Sequence, residues 1–403
     1  MSLAIPPGGV LASDEAPNVV GLLVPIMIVV LSGFLVTGLA MPVLPLHVHE
    51  RLGLGEFVVG IVAGAQFAAA LISRFWAGSF ADRRGAKYAV VIGLLLAAAS
   101  GLFYLLSLQF ITAPIPSVMI LIFGRAVLGA AESAMITGAL SWGLAIGGAK
   151  NSGKVIAWVG TAMYAAFAGG APAGSVLYAR YGFSAIAMAT TIIPLLTLLV
   201  IAPLASVAPA GHARSSFTRV LRTVAKPGVG LAFSSFGFGA ITTFIALLFA
   251  QERWGNAWVA FTALSVSFIL ARILVGHLPD ALGGARVALI SVVIEAAGQV
   301  LIWLAPSPAW VFAGAALTGL GYSLVYPAFG VEALRDVPPQ NRGLAMGAYT
   351  AFLDLALGIA NPVLGAIANA RTIRSAFIAS ALVILMAAVV AVSLMRSGTR
   401  RPA

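Results

Sequence analysis

Twelve stretches of this chain stay apolar for about 20 residues or more, with very few charges inside them. About 20 such residues, coiled as helix, span the roughly 30 Å hydrocarbon core of a bilayer. The stretches run approximately over 19–45, 57–80, 88–108, 117–146, 153–178, 183–206, 228–250, 257–278, 286–305, 308–330, 342–368 and 372–395. Backbone groups in lipid must be paired within the segment, so spans of this length are helices. The expected fold is therefore all-α and integral to the membrane, with 12 transmembrane helices. Composition agrees: 9% of residues are charged, against about a quarter in soluble domains, and the mean hydropathy is +1.05.

An even number of spans puts both termini on one side. With the N-terminus inside, the inner loops and C-terminal tail carry 15 Lys and Arg and the outer loops five, Arg51, Arg180, Arg253, Arg371 and Arg374. That asymmetry follows the positive-inside rule and predicts cytoplasmic termini in a bacterial inner membrane. It also accounts for the net charge of +11 without any nucleic acid. The first 18 residues hold no Lys or Arg, so they read as a short cytoplasmic tail rather than a signal peptide. With no cysteine, sparse carboxylates and no Gly-x-x-x-x-Gly-Lys-Ser/Thr run, the chain offers no iron–sulfur, carboxylate-cluster or nucleotide-phosphate site. No metal or other cofactor is expected.

The chain is duplicated. Arg74-Phe-Trp-Ala-Gly78-Ser-Phe-Ala-Asp82-Arg83-Arg84-Gly85 recurs 198 residues later as Arg272-Ile-Leu-Val-Gly276-His-Leu-Pro-Asp280-Ala-Leu-Gly283. Further on, Gly124, Gly129, Asn151, Gly153 and Pro172 match Gly314, Gly319, Asn341, Gly343 and Pro362 at an offset of 190. The change of offset falls between the third and fourth spans, where the first half carries an extra loop from Gln109 to Ser117. The halves are expected to be two pseudo-symmetric six-helix bundles, residues 1–206 and 228–403, joined by a cytoplasmic linker at 207–227. Parallel repeats of this kind suggest a site near mid-membrane between them.

Over nearly its whole length the chain resembles the major facilitator superfamily. Gly78-x-x-x-Asp82-Arg83-x-Gly85-x-Lys87 is similar to the family's loop 2–3 signature, closely, and Gly276–Gly283 more loosely. Arg125-x-x-x-Gly129 resembles the helix 4 signature of proton-coupled members. Gly169-Gly170-Ala171-Pro172-Ala173-Gly174 resembles the helix 5 motif of the drug:proton antiporters, with Ala171 where that branch carries glycine. Ser73-Arg74 resembles the YhhS/YfcJ-like, sugar-efflux-type subgroup. The resemblance implies a major facilitator fold and alternating access. It implies proton-coupled efflux of a small amphipathic or sugar-like solute by a monomer, with proton-coupled import as the alternative. It also implies that Asp82, supported by Arg83, latches onto the start of helix 11 at Asn341-Arg342-Gly343 when the inner gate shuts, with Asp280 a weaker counterpart. The rival reading of Asp82 is a solubilising charge in a tight loop turned by Gly85.

Four ionisable residues lie well inside spans: Arg125, Glu132, Glu295 and Asp354. A charge at the bilayer centre costs about 2.5–3.5 kcal/mol or more, so each should face a polar cavity or a partner. Arg125 and Glu132 are seven residues apart and share a helix face. Glu132 aligns with Tyr322 between the repeats, and Tyr322 and Tyr326 share a face of helix 10. Burial disfavours a carboxylate's charge and a nearby cation favours it. Glu132 or Asp354 is thus a candidate proton carrier, Arg125 a candidate substrate anchor or carboxylate tuner, and Gln66 a cavity hydrogen-bonder. The alternative for each is a permanent structural bond between helices. Glu295 with Gln299 reads as helix–helix glue, and Arg74 and Arg272 as side chains snorkelling to the interface. Gly169, Gly170 and Gly174 suggest close packing, or a bendable helix with Pro172 against helix 8 or helix 2. His47 and His49 read as a solvated rim, and Trp142, Trp158, Trp254 and Trp258 as interfacial anchors. A membrane-integral enzyme fits poorly with such short loops, and a receptor or scaffold with the duplicated loop.

Overall fold

A computed structural model describes residues 19–147, 152–204, 206, 217–338 and 342–399. Among them are twelve long helices and no strand. Helices α1 (Val19–Ala40), α2 (Glu56–Arg84), α3 (Ala86–Leu108), α4 (Pro114–Gly147), α5 (Ser152–Tyr181) and α6 (Phe183–Ile201) form one lobe. Helices α7 (Phe217–Gln251), α8 (Trp258–Val275), α9 (Gly284–Trp303), α10 (Pro308–Leu334), α11 (Arg342–Ala370) and α12 (Ile373–Thr399) form the other. Over their described residues, eleven carry an apolar window long enough to span a membrane. Outward-facing side chains are large and apolar, such as Ile72 at 74% exposure and Leu199 at 71%. Such a surface suits lipid rather than water.

The duplication is structural as well as textual. Gly85 and Gly283 break the chain between helices with φ of 101° and 88°, a region that L side chains rarely adopt. A Cβ on Gly129 would overlap the backbone carbonyl of Gln66, and one on Gly319 that of Leu264. Those partners are themselves 198 residues apart, so the α2–α4 crossing is repeated as α8–α10.

Several sequence expectations change. Helix α2 continues to Arg84, so Asp82 and Arg83 sit exposed in its last turn rather than in a loop. Helix α7 starts at Phe217, making the predicted 207–227 linker helical from residue 217 onward; residues 207–216 lie outside the described residues. His47 is no solvated rim: it is 2% exposed and stacked on Phe183 at 4.1 Å. Trp142 is 2% exposed and belongs to the core, not the interface. On α5, Gly170 and Gly174 pack on α1, where they meet Gly38 and Leu39, and α5 also crosses α8. Lys87 donates to the Ala202 and Leu204 carbonyls at 2.7 and 2.5 Å, tying the start of α3 to the end of α6, a favourable place for a cation.

The lobes meet along two crossed helix pairs, α2 with α11 and α5 with α8. At the end of the bundle away from the termini, the α2–α11 seam is nearly backbone on backbone. A Cβ on Gly60 would overlap the Asn361 carbonyl, and one on Gly365 would come 2.5 Å from the Glu56 carbonyl. The Asn361 side chain turns away from this seam, with its oxygen against Gly239 of α7.

Candidate functional site

Between the lobes lies a cavity of about 240 Å³, slightly below the range of roughly 300–1,000 Å³ usual for drug-sized ligands. It reaches toward the end that holds the termini, past Leu140, Val159 and Gly160, while the α2–α11 seam closes the other end. Its wall is mostly apolar, and four charged side chains line it: Arg74, Glu132, Arg272 and Asp354.

Glu132 on α4 holds the first lobe's wall. Its carboxylate accepts from the Thr37 hydroxyl of α1 and the Gln66 amide of α2, each at 2.6 Å. Both donors are neutral, and among the described residues no cation is in contact with the carboxyl. The Gln66 side-chain oxygen is buried and unpartnered. Arg125, expected beside Glu132 in the cavity, is not on its wall. It is buried within the lobe with Nη1 3.5 Å from the Tyr104 hydroxyl, near enough to interact with the Glu132 charge.

Asp354 on α11 faces the other way across the seam. Arg74 of α2 donates to its Oδ2 from Nε at 2.7 Å and from Nη2 at 2.5 Å, a pair that joins the lobes. Arg74 therefore does not snorkel. The reason is lateral: α2 runs past it for ten more residues, and its side chain turns toward α11. Arg272 on α8 does not snorkel either. It lines the cavity, donates to the Ser323 carbonyl at 3.0 Å and lies 5.3 Å from the Phe268 ring.

Tyr322 and Tyr326 of α10 are both on the wall. Tyr322 stacks on Phe238 at 5.6 Å with its hydroxyl 3.3 Å from that of Ser235; Tyr326 bonds the Thr350 hydroxyl at 2.7 Å. With Tyr164, Phe167 and Phe268 they make an aromatic collar. Glu295 is away from the cavity wall. It is fully buried and bonded by Ser234, while Gln299 bonds Gly237, Thr318 and Ser380, so this pair stitches α7, α9, α10 and α12 together. Asp82, Asp280 and Arg342 are exposed at the end that holds the termini. Asn341, the other half of the expected latch contact, lies outside the described residues.

Arg74, Arg272, Thr37 and Tyr164 were not picked out by sequence reasoning as cavity residues. A signal was available for three of them: Arg74 and Arg272 are equivalent at the 198-residue offset, and Tyr164 and Asp354 at 190.

Comparison with known proteins agrees with this architecture. The Major Facilitator Superfamily model matches residues 26–259 and 228–403. An uncharacterized MFS-type transporter of Pseudomonas aeruginosa is 42% identical over 419 residues, covering 100% of both chains. Another from Salmonella typhimurium is 39% identical over 363 residues, 90% of this chain and 94% of that one. Among solved structures, a bacterial homolog of the human lysosomal transporter Spinster superimposes with a TM-score of 0.75 at 13% identity, covering 96% of this chain and 100% of that one. The nucleoside transporter NupG does so with a TM-score of 0.74 at 15% identity, over 93% and 99%.

Proposed function

The chain belongs to the major facilitator superfamily of secondary transporters, and from that premise we propose that it couples movement of a small amphipathic or sugar-like solute to a proton by alternating access. The observation that carries this reading is Glu132, a cavity carboxylate held by Thr37 and Gln66 with no contacting cation among the described residues. The surroundings of a wall carboxyl change when the cavity opens to water on one side or the other, and its hold on a proton changes with them. Glu132 is the proton carrier in this reading. Asp354, paired with Arg74, braces the closed seam. Asp82 and Arg83 latch to the start of α11 around Arg342 when the opposite gate closes.

Export across the bacterial inner membrane, with the termini cytoplasmic, is the direction we favour on the α5 Gly/Pro motif and the likeness to the efflux subgroup. A second reading, proton-coupled import, draws on a specific observation. Arg272 is a cation on the wall, and an anion bound near it opposes ionisation of Glu132, so that solute and proton load together.

The test is reconstitution of the full chain in vesicles and counterflow with sugars, organic acids and cationic drugs, with and without an imposed pH gradient. Wild-type protein should respond to the gradient. Glu132→Gln should retain exchange and lose that response; an intact response in the variant overturns Glu132 as the proton carrier.

A further inference from the structure

The two repeats treat one charge differently. Arg74 and Arg272 are equivalent, each on a helix that crosses into contact with the opposite lobe. The residue opposite Arg74, Asp354 of α11, is equivalent to Tyr164 of α5, the helix that α8 crosses. In one repeat the arginine thus meets a carboxylate at 2.5 Å. In the other, the corresponding place holds a neutral phenol whose ring stacks on Phe268 at 3.4 Å, one turn from Arg272.

Arg272 is left with little. Its guanidinium carries five N–H donors, and among the described residues it makes one hydrogen bond, to the Ser323 carbonyl, plus the contact with the Phe268 ring. Its Nε is buried and has no partner. Among the described residues no carboxylate lies within ion-pair distance of it. A desolvated cation without an anion is unfavourable, and planar, two-pronged pairing with an oxyanion is what a guanidinium does best. Tyr164, Phe268, Phe238 and Tyr322 line the same cavity and offer flat apolar faces.

We propose that Arg272 is the anchor for an anionic head group of the transported solute, and that the solute is a small organic anion, a carboxylate or sulfonate, with a flat apolar body held against the aromatic collar. The duplication supplied two arginines. One was neutralised within the protein to brace the seam, and the other was left to be neutralised by cargo. This deepens the proposed function and rests on its assignment of the cavity as the solute site.

The test uses purified full-length protein in nanodiscs, with empty nanodiscs as the blank, and probes that share one ring system. 1-Naphthoate carries an anionic head, 1-naphthamide a neutral one and 1-naphthylmethylammonium a cationic one. Benzoate and naphthalene-2-sulfonate vary body and head. Binding is read by calorimetry and by thermal stabilisation. Wild-type protein should bind at least one of the anions at least tenfold more tightly than the amide or the ammonium. Arg272→Gln should lose tenfold or more for that anion, so that the preference for anion over amide disappears, and Arg272→Lys should retain part of the affinity. Tyr164→Asp, which restores the carboxylate that the other repeat has, should abolish anion binding in the same way.

Failure of every anion to bind wild-type protein, equal binding of anion and amide, or undiminished anion binding by Arg272→Gln would overturn the proposal. The two readings fail separately. If the ammonium binds best and its transport responds to pH through Glu132, proton coupling stands and the anion class falls. If 1-naphthoate binds through Arg272 but a pH gradient drives no flux, the solute class stands and proton coupling falls.

Discussion

Arg74 and Asp354 are 280 residues apart in the chain and form an ion pair across the boundary between the lobes. The pair sits where the α2–α11 seam gives way to the cavity, so it belongs to the gate and the binding chamber at once. Removing one partner leaves the other charge in a dry place. For fully buried pairs that costs about 3–5 kcal/mol; here the loss is smaller, because the Arg74 side chain is 19% exposed. Asp354→Asn should weaken the closed seam and slow transport at least tenfold. The exchanged pair, Arg74→Asp with Asp354→Arg, should recover part of the rate. No recovery in the double variant would show that position, not charge, matters at these sites.

The seam admits no side chain at Gly60, whose Cβ would run into the Asn361 backbone. Gly60→Val should therefore hold α2 and α11 apart and favour the state open at the end away from the termini. The chain has no cysteine, so single introduced cysteines report accessibility cleanly. A probe at position 57 should label faster in the Gly60→Val background, and transport should drop by more than tenfold. Unchanged labelling would mean that the seam flexes around the extra methyl groups.

Asp82 lies in the last turn of α2, far from the cavity wall, and it is exposed. A latch there should affect the rate of switching rather than affinity. Asp82→Ala should reduce turnover several-fold in reconstituted vesicles and leave equilibrium binding of solute within twofold. Equal turnover for variant and wild type removes the latch.

Glu132 and an anion near Arg272 share one chamber and repel when both are charged. Under the import reading, adding an anionic solute to weakly buffered protein should draw protons from solution, read as a rise in pH with an indicator dye. Glu132→Gln should give no such rise. Proton release on binding would instead point to exchange, and so to export driven by proton entry.

The fold was legible because membrane physics reduces it to length and repetition. Apolar runs of fixed length must be helices, and a loop written twice must mark equivalent places. The site was legible only in part, because a helix's residues declare their spacing but not the neighbour they turn toward. Glu132, Gln66, Tyr322 and Tyr326 are on the cavity wall as expected. Arg125 shares a helix with Glu132 and yet turns toward Tyr104 of α3. Arg74 and Arg272 sit toward the ends of apolar runs, where an arginine usually reaches for headgroups; here each turns inward along its helix. Tyr164 carries no charge and passes for an ordinary core aromatic until it is set beside its repeat partner, Asp354.

The bare α2–α11 joint has a consequence for the working cycle. Its closest approaches set glycine against main chain, Gly60 on Asn361 and Gly365 on Glu56. No side chains interlock at those two points, so the halves can part there without any rotamer having to be withdrawn from a socket. What must then decide between the two resting postures is the chamber behind the joint, where one small passenger can tip the balance only by preferring one of them.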